Sequence, residues 1–449
     1  MDLKELIQIV KQNGVAGAGG AGFPSYAKLD QRANTIIINC AECEPLLRVH
    51  RQLMQKYAYE IMWTLQLIGE SLGAKNLFIG VKEAYKKTVN AIKANQYSFP
   101  GIQLKLLKES YPMGDEVVLI YETTGKVVPP GSIPLELGVI VFNVETILNI
   151  YYAIEQQKPV THKYVTIAGE VKNSVTLMLP IGMSVEEAVQ TAGGVTTLNP
   201  VYIMGGPMTG NIVNSYDSIT KTTNAILVMP EEHCLINRRR SNISIDMKRA
   251  MASCCQCEMC TDLCPRNLLG HPITPHQFMR AATSKSTQEV GTFLDTMFCC
   301  SCGVCEMYAC PQGLSPRKMI TEYKDGLRKK GVPISKGIPL KEVNSLREYR
   351  AVPMERLISR LDLTQYNSEA LLWEMTVNTE LVKINLSQHI GAKAVPVVKK
   401  MDNVKAGDMI AQAEEGKLSL PVHASISGKI VEVNDRYIMI RADREKNAV

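Results

Sequence analysis

Residues 2–13 (DLKELIQIVKQN) place Leu3, Leu6, Ile7 and Val10 on one face of a 3.6-residue wheel, with polar residues between them. That spacing predicts an amphipathic helix, stopped by Gly14. Further on, TIIINC (35–40), KNLFIGV (75–81), IQLKLL (102–107) and LGVIVFNV (137–144) are short apolar runs of buried-strand length, while residues 48–72 read as one long helix. Strands alternating with helices to about residue 157 predict an α/β domain, residues 1–157. KYVTIAGEV (163–171) opens a different texture, with short strands, the pairs Gly193-Gly194 and Gly205-Gly206, and one helical stretch, SVEEAVQTAG. It predicts a small β-rich module over 158–235. Residues 236–345 hold cysteines among short helices and prolines. The last module, 346–449, begins as a linker and returns to strands in VKINLSQ, AVPVVKK, GDMIAQAE, GKIVEVND and RYIMIRA.

Composition adds two exclusions and one lead. With 45% hydrophobic and 21% charged residues over 449 positions, the chain has ordinary globular usage. No apolar run approaches the ~20 residues that span a bilayer, and MDLKELIQIV lacks the basic-then-apolar layout of an export signal, so the expectation is a cytoplasmic protein with no transmembrane segment. The net charge of +6 is dispersed apart from Arg238, Arg239 and Arg240, which lack interleaved aromatics and read as a solvated linker; nucleic acid is not an expected partner. The lead is cysteine: ten of thirteen lie between Cys254 and Cys310, a clustering that argues for metal.

In CCQCEMCTDLCP (254–265), Cys254, Cys257, Cys260 and Cys264 follow C-x2-C-x2-C-x3-C-P, the spacing of a ferredoxin-type [4Fe–4S] site. In CCSCGVCEMYACP (299–311), Cys299, Cys302 and Cys305 repeat the three-ligand loop, and Cys310-Pro311 closes it one residue late. Because the fourth cysteine of each run ligates the other cluster in two-cluster ferredoxins, one cluster is assigned to Cys254, Cys257, Cys260 and Cys310, and the other to Cys299, Cys302, Cys305 and Cys264. Cys255 and Cys300 double the lead cysteine of each run and leave its register open by one. A pair of zinc sites is the competing reading, but three ligands at x2-x2 spacing plus Cys-Pro, twice over, suit iron–sulfur better. Two cubanes carry single electrons, whereas a pyridine nucleotide delivers a hydride, so a cofactor able to handle both is expected, and flavin is the common one.

GVAGAGGAGFPSYAKL (14–29) contains Gly17, Gly19 and Gly22 as a literal G-x-G-x-x-G. A Rossmann fingerprint needs a strand before it, and here a helix precedes it. Four ordered motifs point elsewhere: GAGGAGFPSYAKL, NCAECEP (39–45), YPMGDE (111–116) and NVET (143–146). Over roughly residues 10–155 they resemble the flavin- and NADH-binding subunit of respiratory complex I and, more closely, the C subunit of the Rnf electron-transfer complex. The resemblance implies noncovalent FMN with NADH stacked on it. It places FMN contacts on Gly17, Gly19, Lys28, Asn39, Glu42, Tyr111, Gly114, Asp115 and Asn143, and NADH contacts on Phe23, Glu44 and Glu116. The complex I subunit has an arginine in the glycine loop where this chain has Ala18, so the phosphate loses a charged side-chain partner there.

Residues 160–230, with TIAGEV and YIMGGPMTG, resemble a soluble-ligand-binding β-grasp (SLBB) domain, and the tail resembles a barrel-sandwich hybrid without a lysine hairpin for a swinging arm. The expected fold is thus multidomain, α/β and α+β: a complex I flavoprotein-like FMN domain, a β-grasp domain, a helical ferredoxin-like two-cluster domain and a C-terminal β barrel-sandwich hybrid. The hybrid follows the clusters, an order similar to that of the cobalamin reductases of propanediol-utilisation microcompartments. What this implies is an NADH-dependent oxidoreductase acting through FMN and two [4Fe–4S] clusters on cobalamin. Adenosyltransferase and shell proteins are the implied partners, and the implied location is a bacterial microcompartment. A protein delivering electrons to a redox protein acceptor, Rnf-like or proline reductase-associated, is the alternative.

Overall fold

The computed structural model describes residues 1–286, 288–375 and 377–443. The strand Thr35–Cys40 shows how the first domain is layered. Its isoleucines alternate between two cores: Ile36 and Ile38 join Leu53, Ile61 and Ile147, while Ile37 joins Phe78, Leu119 and Val141. A strand apolar on both faces needs cover on both, as in parallel sheets. The sheet here is four parallel strands in the order Ile102–Leu107, Asn76–Lys82, Thr35–Cys40, Val139–Asn143. Chain order reverses at Thr35–Cys40, which leaves a crevice at its carboxyl end and that of Val139–Asn143, the place where open α/β sheets take ligands. Register pairs Asn39 with Asn143 at that mouth.

Helix Leu3–Gln12 forms as its pattern predicts, with Asp2 as its N-cap. The helix predicted over 48–72 is two, Val49–Lys56 and Ala58–Leu72, broken at Tyr57. A single helix of that length would run about 37 Å, against about 20 Å for a six-residue strand, so the break keeps both halves over the sheet.

The β-grasp sheet orders Val175–Pro180, His162–Gly169, Ala225–Pro230, Pro200–Met204 and Asn211–Val213. Helix Val185–Thr191 covers it through Val185, Ala188 and Val189. In the cysteine-rich module, Phe278, Phe293 and Tyr323 pack edge-on and stacked at 5.1–5.9 Å beneath the cysteine loops. The tail folds as two small antiparallel sheets, whose longest strands are Gly428–Val433, Tyr437–Ala442 and Leu381–Asn385. The segment expected as linker is laid into two modules: Val352–Pro353 pairs with Ser110–Tyr111, and Leu372–Trp373 extends the β-grasp sheet beside Val175–Pro180. Strands of two residues carry no alternation to read.

Burial pushes down five of the chain's seven histidines, His389 among them, and so favours their neutral form. Burial holds His50, His162 and His271 down at about 4 and His423 at about 3, against an ordinary 6.5. The unfolded chain binds those protons more readily, so their contribution to stability is complete above about pH 6.5 and drains away as pH falls toward 4. The urea midpoint at pH 5 is therefore expected below that at pH 7; an equal or higher midpoint at pH 5 contradicts this.

Candidate functional site

The crevice is a cavity of about 400 Å³, within the ordinary range for ligand pockets. Ten of the twelve residues expected around FMN and NADH line it: Gly17, Gly19, Phe23, Lys28, Asn39, Glu42, Glu44, Gly114, Glu116 and Asn143. Tyr111 and Asp115 do not. The Tyr111 hydroxyl donates to the Cys302 carbonyl, and Asp115 caps helix Glu116–Thr124 while pairing with Arg266 at 2.8 Å. Both instead tie the sheet domain to the cysteine-rich module.

The glycine loop follows a helix, as the sequence indicates, and is closed on itself. Ala16 bridges Pro24, and the Gly17 N–H donates to the Phe23 carbonyl at 2.9 Å. Gly20 and Gly22 have φ of +60° and +69°, where a side chain strains the backbone. A Cβ at Gly22 would also stand 2.8 Å from Thr222 Cγ2 and 3.0 Å from the Gln388 carbonyl, so the β-grasp turn and the tail both press on this loop. Lys28 reaches under it, donating to the Val141 carbonyl at 2.8 Å and lying 3.5 Å from Glu116.

At the strand ends, Asn39 donates Nδ2 to the Gly114 carbonyl at 2.8 Å. A Cβ at Gly114 would fall 2.0 Å from the Ala41 carbonyl, so no larger residue fits without moving backbone. Asn143 caps helix Val144–Gln156 through Oδ1 and puts Nδ2 3.0 Å from His50 Nε2. With His50 neutral, that nitrogen accepts and Nδ1 carries the proton. Glu42 is buried, and its two oxygens accept from the His50 N–H at 2.8 Å and Arg51 Nε at 2.6 Å. Burial alone would raise its carboxyl, but Arg51 and His50 hold it below the ordinary value. It thus caps helix Val49–Lys56 as well as facing the cavity. Glu44 spends its carboxylate on the Met208 N–H at 2.7 Å and the Thr209 hydroxyl at 2.5 Å, across the junction with the β-grasp module.

The sequence reading missed His50, Thr146 and Asn224 in this wall. Thr146 lies within the NVET motif, one signal that could have found it; Asn224 comes from a different module and had none.

The two cysteine loops share one backbone conformation. Positive φ occurs at Gln256 and Glu258 in the first and at Ser301 and Gly303 in the second, two and four residues after Cys254 and Cys299. Three of these four are not glycine, an uncommon state for such residues. Successive turns of this kind aim backbone N–H groups inward as a nest for an anion, which suits thiolate-ligated clusters. The match aligns Cys254 with Cys299, and Cys257 and Cys260 with Cys302 and Cys305. A cavity of about 30 Å³ is lined by Cys254, Cys255, Cys257, Cys260 and Cys310. Burial, then Cys310, Cys254 and Cys257, push the Cys260 thiol up to about 12. The other group gathers about Cys264: burial pushes its thiol up to about 12, with Cys300 and Cys299 adding to it. Cys300 pushes Cys302 up, reinforced by burial, Cys264 and Cys305. Cys310 thus lies with the thiols of the first run, and Cys264 with those of the second, Cys300 included. Sulfurs are supported as cluster ligands are: Cys254 accepts from Gln256 Nε2 at 3.1 Å, Cys299 from the Ser301 N–H at 3.3 Å and Cys310 from the Leu314 N–H at 3.4 Å. Among the described residues, no three His, Cys, Asp or Glu side chains converge on one ion-sized point.

Comparison with known proteins agrees module by module. The Nuo51 FMN-binding domain model matches residues 10–152, the SLBB domain 164–211, the 4Fe-4S dicluster domain 253–315 and the RnfC barrel sandwich hybrid domain 364–449. The chain is 40% identical over 440 residues to cobalamin reductase PduS of Citrobacter freundii, covering 98% of this chain and 97% of that one. It is 39% identical over 437 residues to cobalamin reductase PduS of Salmonella typhimurium, covering 97% and 96%. The C component of the ion-translocating oxidoreductase complex of Edwardsiella ictaluri is 32% identical over 269 residues, 59% of this chain and 32% of that protein. No described helix is long and apolar enough to cross a membrane.

Proposed function

The chain belongs to the cobalamin reductase PduS family, and from that premise we propose that it is an NADH-dependent reductase of cobalamin. The observation that carries the reading is the junction of a ligand cavity at the sheet's switch point with two matched cysteine loops, joined by the Tyr111 and Asp115 contacts. When bound, FMN exchanges a hydride for single electrons and two [4Fe–4S] clusters relay them. One NADH then reduces two cob(III)alamin to cob(II)alamin, releasing NAD⁺ and a proton.

The chain's own residues do the holding. Gly17 and Gly19 keep the loop free of side chains beside the flavin phosphate, and Lys28 supplies positive charge beneath it. Asn39, Gly114 and Asn143 shape the wall at the strand ends, with Glu42 fixing the helix that presents His50. For NADH, Phe23 offers a ring face and Glu116 a carboxylate, while the Glu44 carboxylate is already engaged. Cys254, Cys257, Cys260 and Cys310 would hold one cluster, and Cys299, Cys302, Cys305 and Cys264 the other. Similar domain order extends the reading to a cytoplasmic microcompartment, beside an adenosyltransferase and shell proteins.

The test is anaerobic reconstitution with iron, sulfide and FMN, followed by NADH-driven reduction of cob(III)alamin compared with protein acceptors. Bleaching of the bound flavin by NADH and turnover on cobalamin support the reading. Rapid turnover with a protein acceptor alone replaces cobalamin with a redox partner, the Rnf-like alternative.

A further inference from the structure

We infer that Asn224, on the β-grasp module, donates its side-chain amide to the FMN phosphate and supplies the polar contact that Ala18 lacks. The assignment rests on the FMN reading of the cavity. Asn224 lies in the cavity wall at the end of the turn 220–224, immediately before strand Ala225–Pro230.

Its amide orientation is forced. Lys163 Nζ lies 2.8 Å from Asn224 Oδ1, and an ammonium only donates, so the oxygen of the amide faces Lys163 and the nitrogen faces away. Lys163 itself is immobile: it is buried, ion-paired with Glu145, and donates also to the Tyr164 carbonyl at 3.0 Å. The nitrogen turned away reaches the glycine loop, 2.7 Å from the point where a Cβ at Gly19 would sit. Asn143 Nδ2 stands 3.0 Å from the same point, but it is already shared with His50 Nε2. Among the described residues, Asn224 Nδ2 has no acceptor.

The turn is anchored as well as the side chain. The Lys221 N–H donates to Gln388 Oε1 at 3.0 Å, its Nζ to the Gly14 carbonyl at 2.7 Å, and the Thr166 N–H to the Asn224 carbonyl at 3.0 Å. A donor held this firmly gives up little freedom when it binds a ligand.

The loop also needs the extra donor. Its Gly17 N–H goes to the Phe23 carbonyl and its Ala18 N–H to Thr146 Oγ1, both at 2.9 Å. That leaves the N–H groups of Gly19, Gly20 and Ala21 for a dianionic phosphate, with Lys28 already bonded to the Val141 carbonyl.

The experiment titrates FMN-free protein with FMN and, separately, with riboflavin, which has the same ring and no phosphate, following flavin fluorescence. Asn224→Asp keeps the shape and can still accept from Lys163, but turns the inward donor into an anion; Asn224→Ala removes the group. The expected FMN Kd rises about tenfold or more for Asn224→Ala, as for loss of a hydrogen bond to a charged group, and further for Asn224→Asp. Riboflavin Kd is expected to stay as in the unaltered protein, which also reports that the variants fold. An unchanged FMN Kd overturns the assignment, as does an equal loss for both flavins, which marks a merely structural role. Unaltered protein that binds neither flavin overturns the FMN reading itself, and the assignment with it.

Discussion

Cys310→Ser is expected to hold about four iron atoms per chain, where the reconstituted unaltered protein holds about eight, one cubane having been lost. A serine hydroxyl stays protonated at neutral pH and replaces a thiolate poorly. NADH should still bleach the flavin, while cobalamin reduction drops by about a hundredfold or more, because one of two serial carriers is missing. Pairing the variant with a second one tests which cysteines share a site. Cys254→Ser added to Cys310→Ser touches the same site and should leave about four irons, whereas Cys302→Ser added to Cys310→Ser should leave none. If instead each run holds its own cluster, the two double variants exchange results. Iron, acid-labile sulfide and electron paramagnetic resonance after dithionite reduction read the outcome. Cys255→Ser, at an exposed thiol, should change none of these.

Breaking the Lys163–Glu145 pair should give the largest loss of stability. Both side chains are 1% exposed, and the pair pins the first β-grasp strand, His162–Gly169, to helix Val144–Gln156. Burial pushes the Glu145 carboxyl up and the Lys163 ammonium down despite their mutual attraction. The desolvation cost is therefore high, and each charge depends on the other. Glu145→Leu leaves a buried ammonium with only the Tyr164 and Asn224 oxygens, and should cost about 3–5 kcal/mol, read as a fall in the urea midpoint. Adding Lys163→Met should recover most of that loss, because the unpaired charge is removed with its partner. A double variant no more stable than the Glu145→Leu single would refute the account. Lys163→Met should also weaken FMN binding, since it frees the Asn224 amide to turn.

What was legible along the chain was whatever repeats locally. The strand TIIINC reads correctly because both of its neighbouring layers demand apolar residues, whereas IQLKLL, at the sheet edge with Gln103 and Leu106 exposed, reads from its short apolar run alone. The register of the cysteine runs stays open by one residue, because the paired left-handed residues at Gln256, Glu258, Ser301 and Gly303 align Cys254 with Cys299 and Cys255 with Cys300 alike. Motif order placed ten of twelve residues on one cavity. It did not separate those that face a ligand from those that brace the fold: Glu42 caps a helix, Glu44 holds the β-grasp turn, and Tyr111 and Asp115 turn toward the cysteine loops. Side-chain direction at such positions depends on what a distant segment offers as a partner.

The sequence by itself determined the four modules, the two three-cysteine loops and a glycine loop entered from a helix, because each is written in spacings of a few residues. Only the tertiary structure decided how the modules meet. It brings Cys310 to Cys254, Cys257 and Cys260, lays the expected linker into two sheets, and carries Asn224 to Gly19 across some two hundred positions of chain. The physical reason is that buried charges and amides must find partners wherever the fold supplies them. Lys163, set between Glu145 and Asn224, found one on each side of a domain boundary.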